Sequence, residues 1–333
     1  MQIKVARPGL LTTIQDLGRR GYQKYGIIAS GAMDNWALRI GNAVVGNKPE
    51  EAGLEITMSG PVLELPAGLF FSLTGGDLKA EIEGIAVPMW RPIHIKKKCQ
   101  LRFGRPILGC RSYMTVSGGF DVAKVMGSKS TYLRAALGGF QGRSLQKDDI
   151  LPIGTSLIRE GKWRERNVFF SAPCWYVPQY YVPSSKETVT LRYTLGGQWS
   201  AFSKRSQQDF SAAVFSLSNQ SDRMGYRLSG PKLMLKDSLE MISEAVAFGS
   251  VQVPPDGNPI ILMADRQTAG GYPKIGQIIL ADLPKTGQLA PGSKVCFSEV
   301  SLQEAEILYL EQEKKYRDLL RSIAWNLLLR AEA

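Results

Sequence analysis

Short apolar or alternating runs, broken every few residues by glycine or proline, fill most of this chain. Leu69 to Thr74 and Tyr113 to Val116 are typical. Runs of this length between turn residues predict strands. Their number predicts a mainly β protein built of barrels or sandwiches rather than a doubly wound sheet. Helical periodicity is confined to a few places. Over Asp34 to Val45, Asp34 can cap a helix, Trp36, Leu38, Ile40, Val44 and Val45 supply apolar contacts, and Gly46-Asn47 ends it. The tail is the other clear case. Ser301 and Glu304 have capping-box spacing. From there to Arg330, Leu308, Tyr316, Leu319, Leu320, Ile323, Leu327 and Leu328 form a broad apolar stripe. Such a stripe packs on its own domain or docks a partner.

The pattern also repeats. Glu55 to Leu63 and Tyr226 to Leu233 each run an alternating strand into Ser-Gly-Pro. Gly142 to Leu151 resembles Gly287 to Cys296, and Arg7-Pro8-Gly9 aligns loosely with Leu195-Gly196-Gly197. Two related β-barrels are the simplest reading, with Gly127 to Arg143 an insertion in the first. The expected organisation is a first barrel over 1–158, a connection over 159–186, a second barrel over 187–300 and a C-terminal helix over 301–333.

A length of 333 residues is enough for two cores. Hydrophobic residues make up 44% of the chain, with no charged-then-apolar leader and no apolar run long enough to span a bilayer. The expectation is a cytoplasmic protein without membrane attachment. Cys99, Cys110, Cys174 and Cys296 lack CxxC spacing, so they signal neither zinc nor a disulfide framework. His94 is the single histidine, which excludes a histidine-rich metal site. Its strand-like setting reads as structural or surface. The net charge of +11 suits acidic small molecules or an acidic partner. The cations are dispersed and form no nucleic-acid signature.

Four segments can carry chemistry. Asp265 to Gln277 follows an apolar strand-like run, Ile260 to Met263. It gathers Asp265, Gln267, Thr268, Tyr272 and Lys274 around Gly270, Gly271 and Pro273. Glycines there let a ligand approach the backbone, and the mixture suits an anionic or amide-bearing ligand. A plain polar turn has the same composition. Pro8 to Tyr22 is dense in hydrogen-bonding groups at Thr12, Thr13, Gln15, Asp16 and Arg19, and Gly31 to Asp34 places a carboxylate at a helix start. Asp34 can equally be only an N-cap. In Ser221 to Arg227, Asp222 and Arg223 can organise a turn or present a guanidinium to an anion. Gly127 to Arg134, with Ser128, Ser130 and Arg134, combines glycine, hydroxyls and cations in the manner of an oxyanion cradle. It lacks P-loop spacing, and Gly287 to Lys294 is a near miss.

Together these segments resemble the biotin-dependent carboxyltransferase-like proteins, also called the allophanate-hydrolase second-subunit family. The matching residues are Pro8 to Arg19, Ser30 to Asp34, Val45 to Asn47, Leu54 to Thr57 with Gly60-Pro61, Ser128 to Tyr132, Ser221 to Leu228 and Gln267 to Pro273. The resemblance covers nearly the full length. It implies two tandem cyclophilin-like β-barrel domains with a few short helices and a C-terminal helix. It also implies a 5-oxoprolinase that opens 5-oxo-L-proline to L-glutamate with hydrolysis of ATP, working with partner subunits B and A. No Met-Lys-Met biotin-acceptor motif occurs, so no covalently attached biotin is expected. The second repeat departs from the family by reading Leu195-Gly196-Gly197-Gln198 in place of a Pro-Gly-Pro-like turn.

For the implied reaction, phosphorylation of a lactam oxygen makes the ring carbon attackable by water, a transfer that needs positioning and cations. ATP, with Mg2+, is bound here or by a partner subunit. Arg19, Arg223 and Lys274 are candidates for anion contact. Asp16, Asp34, Asp265 and Gln267 are candidate catalytic groups, the carboxylates for proton transfer or metal contact. Gln15, Gln267 and Thr268 can recognise the lactam amide, and Tyr272 can close the pocket. Ala substitution of Asp265 or Gln267 is expected to abolish turnover while sparing folding and partner binding. Two rival functions fit the family. One is a regulatory protein antagonising a histidine-kinase inhibitor. The other is a component of a biotin-dependent urea carboxylase or allophanate hydrolase system.

Overall fold

Alternation in the first half of the chain builds two sheets that share one core. The computed structural model describes residues 1–159, 163–165, 167–179, 182–184 and 187–329. By contacts the chain divides into two units: residues 1–19, 30–182 and from Lys315 onward form unit 1, and residues 20–29 and 183–314 form unit 2.

Unit 1 contains a six-stranded sheet in the order Ile150–Pro152, Gln2–Arg7, Val62–Leu65, Cys99–Arg102, Glu81–Ile82, Ile85–Ala86. Its seven-stranded sheet runs Arg164–Glu165, Phe170–Ala172, Ile93–Ile95, Phe70–Asp77, Leu108–Val116, Gly53–Thr57, Leu11–Gln15. Ile3, Val5, Leu63 and Leu101 from one sheet and Leu54, Ile56, Phe71, Leu73 and Met114 from the other meet in one buried cluster. The stretch assigned to a connection thus supplies strands to unit 1, with Phe170 opposite Ile95. Lys186, the expected end of that connection, lies outside the described residues.

Helix α1 (Asn35–Val44) starts where Asp34 caps it, its carboxylate accepting the Ala37 N–H at 2.9 Å. The helix lies on the seven-stranded sheet. Thr74 donates its hydroxyl to the Ala37 carbonyl, and Ser72 donates to that of Gly41. Both faces of Gly53–Thr57 and Phe70–Asp77 are therefore covered. His94 stacks on Phe70 with ring centroids 4.3 Å apart, a structural contact.

Unit 2 holds a closed barrel in the order Thr188–Leu195, Lys274–Ile278, Ser250–Gln252, Ile260–Leu262, Gly225–Ser229, Phe215–Leu217, Lys294–Glu299. Helix α2 (Lys204–Ala212) is capped by Ser203 and sends Phe210 against Phe297, stacked at 4.3 Å. Tyr193 and Phe215 complete this aromatic core. The repeat is visible in detail. A Cβ on Gly60 would fall 2.5 Å from Phe103, and one on Gly230 would fall 2.5 Å from Phe215, so each Ser-Gly-Pro presses backbone onto a phenylalanine.

A short α3 (Leu283–Gly287) precedes the last barrel strand. Helix α4 (Leu302–Leu329) opens with the expected reciprocal cap between Ser301 and Glu304. Its later part joins the α1 cluster of unit 1, where Tyr316 meets Trp36 edge-on and lies under the Arg39 guanidinium. Leu328, placed on the apolar stripe by the sequence, is exposed. Arg330, the expected helix end, lies outside the described residues.

Candidate functional site

In unit 1 the strand Leu11–Gln15 delivers Gln15, Asp16 and Arg19 to the loop carrying Ser128 and Ser130. Asp16 accepts hydrogen bonds from Ser128 Oγ at 2.7 Å, Ser130 Oγ at 2.5 Å, Gly18 N at 2.8 Å and Lys129 N at 2.6 Å. The hydroxyl-rich loop is an anion cradle, and the anion in it is the chain's own carboxylate. Arg19 is fully buried and donates to the carbonyls of Val125 and Ser130. The Gln15 amide donates to Thr13 and Thr131, while its oxygen is buried with no hydrogen-bond partner among the described residues. Lys129 Nζ reaches Glu51 at 2.6 Å. Arg134, expected beside these groups, is exposed.

Asp34 is more than a cap. Its N–H donates to the Tyr113 hydroxyl, which donates at 2.7 Å to Glu55, and Glu55 also accepts the Met33 N–H. Arg111 lies 3.9 Å from Glu55, with both side chains buried. Burial pushes the Tyr113 phenol well up, and the Glu55 and Asp34 carboxylates add to it. Burial also raises the Cys110 thiol, which accepts from Arg111 at 3.1 Å. Sequence reasoning missed the roles of Glu55, Arg111 and Tyr113. Each occupies a position in an alternating strand that pattern alone assigns to an ordinary polar face.

In unit 2, Arg223 and Asp265 form a bidentate pair at 2.9 and 3.0 Å, buried to 5% and 6% exposure. Asp265 thereby anchors the start of the glycine-rich loop. Arg266 follows, its guanidinium pKa lowered by burial. Gln267 is exposed, and the Thr268 carbonyl accepts from Val246. Gly270 sits in a two-residue ribbon strand opposite Glu244. Gly271 and Tyr272 face solvent, and the Tyr272 carbonyl accepts from Gln252.

Lys274 lines a cleft. A polar cleft of about 230 Å³ is lined by Gly196, Gly197, Ser250, Lys274 and Gln277, among others. Lys274 Nζ meets the Glu244 carboxylate at 2.7 Å at its rim. Hydrogen bonding and charge from Lys274, with a further hydrogen bond from Gln198, hold the Glu244 carboxyl below its usual range. The departing Leu195-Gly196-Gly197-Gln198 turn builds this wall. Gln198 Oε1 accepts the Lys274 N–H at 3.1 Å, and a Cβ on Gly196 would fall 2.2 Å from the Lys274 carbonyl oxygen. In this structure the Lys274 ammonium holds a carboxylate of the chain itself, that of Glu244.

No group of acidic, histidine or cysteine side chains among the described residues is arranged to hold a metal. Asp16 and Asp265, named as possible ligands from sequence, are committed to hydroxyls, amides and a guanidinium. The Ser128–Ser130 loop is closed around Asp16. These residues do not fit Mg2+ or a nucleotide phosphate. No helix among the described residues is long and apolar enough to cross a membrane.

A mainly β chain of two units with related Ser-Gly-Pro strands defines a class. Residues 25–299 match the family model for the carboxyltransferase domain, subdomain A and B, and the chain belongs to that family. It is 37% identical to the Escherichia coli protein named as the C subunit of 5-oxoprolinase, over 98% of each chain. It is 39% identical to the Haemophilus influenzae protein of that name, over 93% of this chain and 95% of the other. The crystal structure of Kluyveromyces lactis urea carboxylase matches with a TM-score of 0.84 at 28% identity. That match covers 96% of this chain and 29% of the urea carboxylase chain, so this chain spans under a third of that protein.

Proposed function

We propose that this chain is the C subunit of an ATP-dependent 5-oxoprolinase, a hydrolase that opens 5-oxo-L-proline to L-glutamate only when joined by its A and B subunits. The near end-to-end correspondence with two relatives bearing that name carries the reading. The Lys274 cleft supports it, because 5-oxo-L-proline is a small ring acid. Its carboxylate exchanges for that of Glu244 on the Lys274 ammonium, and the ring enters the cleft over Gly196 and Gly197. A partner subunit supplies ATP and its magnesium, whose chemistry is activation of the lactam oxygen. This chain binds and orients the ring acid.

Opposite kinetic effects test the assignment in the reconstituted enzyme. Lys274→Met is expected to raise KM for 5-oxo-L-proline about tenfold or more, the loss of one charge-assisted contact. Glu244→Ala removes the internal competitor and is expected to lower KM. An unchanged KM in both variants would remove the cleft from substrate binding. The likeness to urea carboxylase supports a second reading, a carboxyltransferase component acting on urea. Transfer from a biotin-bearing partner to urea, with no glutamate formed from 5-oxo-L-proline, would favour it.

A further inference from the structure

Helix α4 has two sides in unit 1, to which it belongs from Lys315 onward. On one side Tyr316, Leu319, Leu320, Ile323 and Leu327 pack it onto the α1 cluster. The other side faces solvent. Arg317, Arg321, Trp325 and Leu328 recur there at intervals of three or four residues, which places them in one stripe, and all four are exposed. Trp325 is 64% exposed and Leu328 67%. Tryptophan and arginine are the side chains that most often carry the binding energy of a protein interface, and this stripe sets one of the first beside two of the second.

A groove of about 400 Å³ lies against the same helix, lined by Trp36, Pro178 and Leu319 together with Lys315, Asp318 and Ser322. Ser322 is one turn before Trp325 on the same side of α4. The charges decide which partner fits. Asp318 is held by Arg321 at 3.3 Å. Lys315 and Arg317 are exposed and in no ion pair among the described residues. A second copy of this chain would bring the same cations against these, each copy already carrying a net charge of +11. A partner with an acidic surface meets them with opposite charge.

We infer that this face of α4 docks a partner subunit of the enzyme, one that sets a leucine or aromatic side chain in the groove, packs on Trp325 and Leu328, and presents carboxylates to Lys315 and Arg317. The inference rests on the multi-subunit reading above and adds the surface through which the subunits join.

The candidate A and B subunits, singly and together, are titrated into the full chain by calorimetry. Binding is expected for the parent chain. Trp325→Glu should weaken it about thirtyfold or more, the loss of an interface anchor. Arg317→Glu should weaken it about tenfold and reduce its dependence on salt. Both positions are exposed, so the variants should melt with the parent. Arg102→Glu makes the same charge change at an exposed position of the six-stranded sheet and should leave binding within about twofold. Partner binding that survives both α4 variants would overturn the inference and leave the multi-subunit reading standing. A parent chain that binds neither subunit, singly or together, would overturn both. Self-association of the parent, lost in Trp325→Glu while neither subunit binds, would give this face to a second copy and overturn the inference as well.

Discussion

Asp265→Ala deprives a buried guanidinium of its carboxylate. Arg223 and Asp265 are 5% and 6% exposed and joined by two hydrogen bonds of 2.9 and 3.0 Å. At such a site the remaining charge keeps its desolvation cost and loses its compensation, and unit 2 should lose about 3–5 kcal/mol of stability. Arg223→Met combined with Asp265→Leu removes both charges and should recover most of that loss. The sequence alone leads to the opposite expectation, that Asp265→Ala spares folding and removes only turnover. The assay is urea unfolding followed by 19F NMR of 5-fluorotryptophan. Trp199, packed beside Tyr193 and Phe210, reports on unit 2 separately from the tryptophans of unit 1. With a urea slope of about 1–3 kcal/mol per molar, the midpoint should fall by about 1 M or more. An Asp265→Ala variant within about 0.5 kcal/mol of the parent, or a double variant less stable than the single, would show that the pair does not hold unit 2 together in this way.

Gln267→Ala, on the same loop but exposed, should change stability by under about 0.5 kcal/mol in that assay. Asp16→Ala leaves the Ser128 and Ser130 hydroxyls and two backbone amides without their acceptor, and should destabilise unit 1 by about 3 kcal/mol or more, read from its own tryptophans. Asp282 sets an acid limit for unit 2. Burial alone would raise its carboxyl, but hydrogen bonds from Arg192 and the nearby Lys285 charge outweigh burial and hold it below its ordinary 3.8. Its contribution is therefore complete above pH 3.8 and lost as pH falls through the lower folded value, and Asp282→Asn should flatten that acid limb of the unfolding curve. Ser301→Ala removes one half of the α4 cap, worth about 1 kcal/mol, and should speed amide exchange in the first turn of that helix.

The parts of the fold that rest on local rules were legible. Asp34 and Ser301 cap helices where spacing places them, and Ser-Gly-Pro marks the same strand exit in both halves. The strand at Ile260–Leu262 ends where the glycine-rich loop begins. What was not legible is contact across long separations. Asp16, Ser128 and Ser130 each stood out as polar, yet nothing local says that a loop more than a hundred residues away folds its hydroxyls onto that carboxylate. Glu55 and Tyr113 were hidden for a different reason. Alternation marks two faces of a strand, and α1 buries the face that pattern assigns to solvent. The Lys274 cleft needed both barriers crossed, since Gln198, Glu244 and Lys274 come from three separate segments. The tail was half legible: its cap and apolar stripe follow from spacing, whereas the packing of Tyr316 on Trp36 does not.

Whether this chain is an obligatory part of a 5-oxoprolinase is decided by glutamate formation from 5-oxo-L-proline and ATP by the candidate A and B subunits, with and without it. Turnover is expected only in its presence, with a raised KM when it carries Lys274→Met. Full turnover by A and B alone, or none with all three subunits assembled in a stable complex, would contradict the assignment.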